Sequence, residues 1–222
     1  MDGSRLPNAA HEQHPWLIAG IAPDFQLLDV WRLPAQGGRE DFASLIEIMT
    51  SLDPARGDSK LAGALVRLRL RLGEILGWDD PSSDLAVPGR SETTLSARIP
   101  EALRESVASR DGERPSIGST SFTPLYRTAE EWAAELSNRT VHGVVHLAWV
   151  AEGDGAYRGQ MAVYVKPRGR LGAAYMALIS PFRHLIVYPA LMRQIGRAWD
   201  ARRAQDDVFD ARPSPERPDG PL

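Results

Sequence analysis

The sequence predicts an α+β fold: an antiparallel sheet wrapped around a long C-terminal helix in a helix-grip-like manner, with two helices after the first strand. Three observations carry this expectation. In the segment 170–203, Leu171, Tyr175, Leu178, Phe182, Leu185, Met192 and Trp199 recur in steps of three, four and seven, which places them on one helical face. Before it, VHGVVHLAWV (141–150) and GQMAVYV (159–165) read as strands, joined across Gly153-Asp154-Gly155, a strong hairpin-turn signal. The order of elements is a strand, two helices, several strands and a terminal helix, so strands and helices come in runs rather than in strict alternation.

The elements follow in chain order. Residues 1–22 are expected to form a flexible N-terminal tail ahead of a single α+β domain over 23–203. Residues 23–34 (PDFQLLDVWRLP) read as a first strand closed by Pro34. Residues 40–51 form a short helix with Phe42, Leu45, Ile46 and Met49 inward. Residues 59–78 form a longer one, striped by Leu61, Leu65, Leu68, Leu72, Ile75 and Leu76 and ended by Gly77. Residues 79–93 are a Pro/Ser/Asp/Gly loop, and 94–108 are weakly patterned. FTPLYR (122–127) is a strand. Residues 130–136 are read as a strand from the alternation of Trp132, Ala134 and Leu136, although Thr128 and Glu131 also match a helical capping box. Within the terminal helix, Ser180-Pro181 predicts a kink or break. Residues 204–222, rich in Asp and Pro, are expected to be a disordered C-terminal tail.

Composition excludes several function classes. The 222 residues are 43% hydrophobic and 25% charged, ordinary for a globular domain with a core. The net charge of −3 leaves no global electrostatic footprint for nucleic acid. Without cysteine there is no disulfide, thiolate metal site or cysteine nucleophile, and a cytoplasmic location is expected. The start of the chain shows no secretory signal pattern. The apolar runs 171–182 and 185–192 are each shorter than the ~20 residues of a spanning helix, and Arg183 and His184 interrupt them, so no transmembrane segment is expected.

At the level of residues, DVWRLP (29–34), LYRT (125–128), NRTVHGVVHLAWV (138–150), YRGQMAVYVKPRGRLGAAYM (157–176) and PFRHLIVYPALMRQIGRAW (181–199) resemble the bacterial domain-of-unknown-function family 2867. The resemblance covers about residues 23–200. The order of elements also resembles the START/Bet v 1-like superfamily, which implies a cavity between sheet and terminal helix. The family brings no activity, cofactor or catalytic residue with it.

Candidate chemistry is sparse. His142 and His146 lie on a strand, where same-face residues four apart are roughly 13 Å from each other. That is too far for one metal, and no metal or cofactor is assigned. Gly153, Gly155 and Gly159 do not make a dinucleotide fingerprint, because a strand follows and the third glycine is a residue late. Lys166, Arg168 and Arg170 precede the terminal helix and form a candidate anion site. Arg183, His184 and Tyr188 interrupt the apolar helix and, with Tyr175 and His146, are the candidate pocket residues. His184 is singled out because it follows the expected kink. Glu131, Glu135, Asp24 and Asp29 have no spacing that fixes a catalytic pair, and no catalytic residue is assigned.

The leading functional expectation is non-catalytic binding of a small apolar or amphipathic ligand in the sheet/helix cavity. One alternative is a cyclase- or dehydratase-like enzyme with a pocket histidine, His184 or His146, as general acid/base. Another is a peripheral membrane-associated protein using the terminal helix. Oligomeric state is not legible in the sequence.

Overall fold

The computed structural model describes residues 3–52, 86–88, 90–103, 116–117, 120–138 and 140–210. The chain opens with β1 (Ser4–Leu6), α1 (Ala9–Glu12), α2 (Leu17–Ile21), β2 (Gln26–Gly37) and, after a turn of 3-10 helix, α3 (Phe42–Ser51). Two short ribbons follow, β3 (Ala86–Val87) with β4 (Arg90–Thr94) and β5 (Ser116–Ile117) with β6 (Thr120–Ser121). The sheet is completed by β7 (Thr123–Arg127), β8 (Glu131–Ser137), β9 (Val141–Gly153) and β10 (Ala156–Pro167). The chain then runs through α4 (Gly169–Phe182), a π turn (Arg183–Val187) and α5 (Tyr188–Asp210). The six strands are ordered β1-β2-β10-β9-β8-β7, with every neighbouring pair antiparallel. The α+β class, the antiparallel sheet and the long C-terminal helix are as the sequence predicts.

Local chemistry explains the strand boundaries. Gly153, Asp154 and Gly155 all take positive φ, at 97°, 50° and 74°, and close the β9–β10 hairpin. Pro34 does not end the first strand, which runs on to Gly37. It sits where the β2–β10 register shifts, between the partners of Arg158 and Gln160, so its missing N–H falls at an irregularity in the ladder. At Thr128, Oγ1 accepts from the Glu131 and Glu130 amides at 2.9 and 3.2 Å, half of the expected capping box. The chain nevertheless continues as strand β8, because Trp132, Ala133 and Ala134 are buried against both faces of the sheet. The expected helix over 59–78 lies outside the described residues. The segment assigned to a flexible tail carries β1, paired to β2, and α2, whose Ile18 and Ile21 are buried.

The two sheet faces divide the core. One carries Trp31, Leu33, Ala35, Trp132, Leu147, Trp149 and Met161, covered by Phe42, Leu45 and Met49 of α3 and by Tyr188, Met192, Ile195 and Trp199 of α5. The other carries Val30, Ala133, Val144, Ala162 and Tyr164, covered by Ile18, Ile21, Phe25, Leu95 and Ile99.

The expected continuous apolar stripe is corrected here. Its second half is core, but Leu178 and Leu185 are 71% and 76% exposed. A 3.6-residue period holds from Tyr188 to Trp199, whereas the π turn widens the preceding turn and changes the phase of everything before it. The irregularity falls just after Pro181, within a few residues of the predicted break. Leu178→Ala is therefore expected to change stability by no more than about 0.5 kcal/mol. Ile195→Ala, fully buried, should cost about 2–5 kcal/mol. Urea denaturation of the two variants checks both.

Candidate functional site

The β8–β9 hairpin builds a repeated polar pair. At the turn, Asn138 Oδ1 accepts from the Thr140 and Val141 amides at 3.0 and 2.9 Å. Ser137 then stands opposite His142, Ala133 opposite His146 and Glu131 opposite Ala148. In this register each glutamate is the diagonal neighbour of a histidine on the same face. His142 Nε2 lies 2.7 Å from Glu135 Oε2, and His146 Nε2 lies 3.1 Å from Glu131 Oε2. Both histidines and Glu135 are fully buried, and Glu131 is 8% exposed. The two pairs are separate, since each histidine has its own carboxylate.

Glu131 is the better-connected carboxylate. Besides His146 it accepts from the Tyr126 hydroxyl at 3.0 Å and from the Leu17 amide at 3.0 Å. Because Glu131 is the acceptor, His146 donates from Nε2, and its Nδ1 lone pair remains without a hydrogen-bond partner among the described residues. Residues 9–21 cover this spot. His11 Nδ1 is 2.6 Å from Gln160 Oε1, which makes Nε2 the unprotonated nitrogen, again unpartnered. The His11 and His146 rings meet edge to face at 5.1 Å, and the Trp16 ring lies 5.8 and 5.7 Å from them. Trp16 Nε1 is a third buried polar atom with no partner among the described residues. Two neutral imidazole acceptors and one indole donor thus share one enclosed corner, where unmade hydrogen bonds cost about 1–3 kcal/mol each.

Burial sets the protonation of this corner. Desolvation lowers the His11 pKa to about 4, outweighing the hydrogen bond it donates to Gln160, and the neighbouring His146 and His14 lower it further. Burial likewise lowers His146, against the opposing pull of Glu131. The Tyr126 hydroxyl is raised, first by burial and then by Glu131. The pH consequence has a definite sign. The unfolded chain takes up protons on these histidines below about pH 6.5, while the folded chain does so only at lower pH, so stability falls on acidification. Between pH 7 and pH 5, His11 alone should account for about 2 kcal/mol. His11→Gln should flatten that slope in urea midpoints measured across the range.

The other predicted residues go elsewhere. Arg183, His184 and Tyr188 converge on the opposite face, on Asp29, a fully buried carboxylate on β2. Arg183 Nη2 donates to Oδ2 at 2.8 Å, His184 Nε2 lies 2.6 Å from Oδ1, and the Tyr188 hydroxyl donates to Oδ2 at 3.1 Å. Arg5 adds a longer contact of 3.4 Å. His184 Nδ1 is 2.8 Å from the Ser180 carbonyl, so both its nitrogens are engaged. His146 is on the other side of the sheet, so the pocket candidates do not form one site. The Tyr175 side chain lies outside those described. Lys166 binds Asp24 at 2.8 Å, where Arg98 also binds and holds that carboxyl below its usual range. Arg168 donates to Ser137 Oγ and the Ala86 carbonyl, and Arg170 is exposed. The three cations therefore do not converge.

Sequence reasoning missed His11, Trp16, Gln160 and Tyr126, which no motif connects to β8 and β9. The Glu–His pairing had a usable signal. Asn138 marks the turn, and a tight turn there would have brought the two same-face glutamates to the two same-face histidines. Among the described residues no group of three or more His, Asp or Glu is arranged to hold a metal ion.

The fold and site define an α+β protein with a six-stranded antiparallel sheet, one face packed on a long C-terminal helix and the other holding buried His–Glu pairs. The chain matches the protein family of unknown function DUF2867 over residues 21–190, and it belongs to that family. No curated protein and no solved structure matches it significantly.

Proposed function

We propose that this protein acts on a small molecule at the His146–Glu131 corner, with His146 as general base. The observation that carries the reading is the His146 nitrogen left over: Nε2–H is held by Glu131 while Nδ1 is neutral, buried and unpartnered. A carboxylate that orients an imidazole and stabilises its protonated form is the arrangement general acid–base chemistry needs. A proton taken from the bound molecule would pass to Nδ1, and Glu131 would offset the imidazolium charge. His11 Nε2 and the Trp16 N–H supply an acceptor and a donor to orient the molecule. This favours the enzyme reading over a purely apolar cavity between sheet and terminal helix, since that space is filled by Trp31, Leu147, Met161 and the α5 side chains. His184, with both nitrogens committed to Asp29 and Ser180, supports the reading less well.

His146 and His11 are 0% and 1% exposed, so access requires the covering residues 9–21 to move aside. Those residues are two short helices, tied down by the Asn8 side-chain amide on the Leu27 carbonyl and by the Leu17 amide on Glu131. The test is native mass spectrometry of the purified protein, with NMR of the histidine rings during fragment-library screening. The expected result is a co-purified small molecule, or fragments that shift His11 and His146 but not His184, with the effect lost in His146→Gln. Binding unchanged in His146→Gln would reduce the corner to a structural pair. Fragments that shift His184 alone would return the site to the helix face.

A further inference from the structure

We propose that the outward face of α4 and the π turn docks onto an anionic lipid bilayer. α4 is pressed to the sheet on one side, where Gly172 lies against the Thr140 carbonyl so closely that a side chain could not be accommodated. The opposite side is apolar and open. Ala174, Leu178 and Pro181 are exposed and fall half a helical turn or slightly more from Gly172, at 100° per residue, and Leu185 in the π turn is exposed as well. Leu178 and Leu185 are, among the described residues, the two large hydrophobics left strongly exposed, at 71% and 76%. Between Gly169 and Phe182 the only charged residue is Arg170.

Charge distinguishes among the occupants of such a face. From Gly155 to Trp199 the sequence contains no Asp or Glu, yet it carries Arg158, Lys166, Arg168, Arg170, Arg183, Arg193 and Arg197. Lys166 and Arg183 are drawn inward to Asp24 and Asp29. Arg170 and Arg193 are exposed, one before and one after the apolar stretch. Arg158 and Arg168 are likewise engaged, with Glu152 and Ser137, so a chain of net charge −3 leaves Arg170 and Arg193 exposed on either side of the open apolar stretch, in a segment without an acid. A second copy docked by the same patch would set like charges together with no acid in the segment to relieve them. Among the described side chains, those exposed on this face are alanines, a proline and two leucines, with none of the aromatic anchors on which protein interfaces depend. A bilayer interface needs no shape complementarity, and it rewards an apolar helix face flanked by arginines. No helix among the described residues is long and apolar enough to cross a membrane, so α4 would lie in the interface plane.

The experiment is co-sedimentation of the full chain with vesicles of mixed phosphatidylglycerol and phosphatidylcholine, and with vesicles of phosphatidylcholine alone, at low and high salt. Binding is expected to the anionic vesicles and to weaken as salt rises. It should fall by at least about tenfold in the Leu178→Asp, Leu185→Asp double variant, whose altered positions are on the surface. Arg170→Glu is a second, milder variant that should reduce anionic binding alone. The proposal is overturned if neither vesicle binds the parent protein or if all variants bind equally. It is also overturned if light scattering shows a dimer that the leucine substitutions dissociate, which would give the face to a second copy.

Discussion

Replacing Asp29 by alanine is expected to cost about 3–5 kcal/mol, one of the two largest losses for a single substitution in this chain. Asp29 is fully buried in β2 and accepts from Arg183, His184 and Tyr188. Its removal takes the acceptor from a largely buried guanidinium, from the imidazole Nε2 and from a buried phenol. Those three residues bracket the π turn, so the same carboxylate fixes where α4 hands over to α5. Tyr188, whose hydroxyl is raised first by burial and then by Asp29, also carries its ring against Trp31 at 4.8 Å. Loss of Asp29 should therefore loosen the start of α5 as well as lower global stability. Urea denaturation gives the magnitude. Hydrogen exchange should show the amides of 183–192 losing protection before those of the β9–β10 hairpin. A variant within about 1 kcal/mol of the parent would mean that water replaces the lost acceptor.

Trp149→Ala is expected to cost a comparable amount, about 3–5 kcal/mol, through a different mechanism. Trp149 is 1% exposed on β9 and meets Trp199 of α5 at 5.8 Å, Phe42 of α3 at 6.1 Å and Tyr157 of β10 at 6.4 Å. Its indole N–H donates to the Gly38 carbonyl at 2.9 Å. One side chain thus joins the sheet to both covering helices and satisfies the turn that leads into α3. Alanine leaves a cavity among residues too rigid to close it, and the Gly38 carbonyl keeps only the longer bond from the Asp41 amide at 3.3 Å. Trp149→Phe, which keeps most of the volume and loses the hydrogen bond, should recover the larger part. Equal losses in both variants, in denaturant titrations, would place the energy in the hydrogen bond instead of the packing.

The two faces of the sheet have different physical characters, and this frames the functional proposals. The α5 face is packed with aromatic and aliphatic side chains, and its buried carboxylate is saturated by donors, although Trp31 Nε1 and Arg183 Nε find no partner among the described residues. The face beneath residues 9–21 holds His11, His146 and Trp16 with polar atoms unpaired. Buried groups left unsatisfied cost stability, and what sets this corner apart is that three of them belong to rings that touch one another.

By itself, the sequence determined whatever depends on near neighbours along the chain. The period-two runs and the Gly153-Asp154-Gly155 turn specified β9 and β10, and alternation around Trp132 specified β8. Phe42, Leu45, Ile46 and Met49 specified the inner face of α3, and Ser180-Pro181 announced an irregularity in the terminal helix. The family could be named from the same stretches. What only the tertiary structure decided was which distant residues meet. Strand register turned two unremarkable glutamates and two histidines into buried pairs, because a shift of one residue would send every side chain to the other face. The covering role of His11 and Trp16 depends on α1 and α2 folding back over β8, β9 and β10, contacts more than a hundred residues apart in sequence. The π turn changed the phase of the terminal helix, so the predicted stripe is core at Met192 and Trp199 and open to solvent at Leu178. A periodic pattern records which residues share a face only while the helix keeps its period, and here a buried Asp29 holds the turn where that period changes.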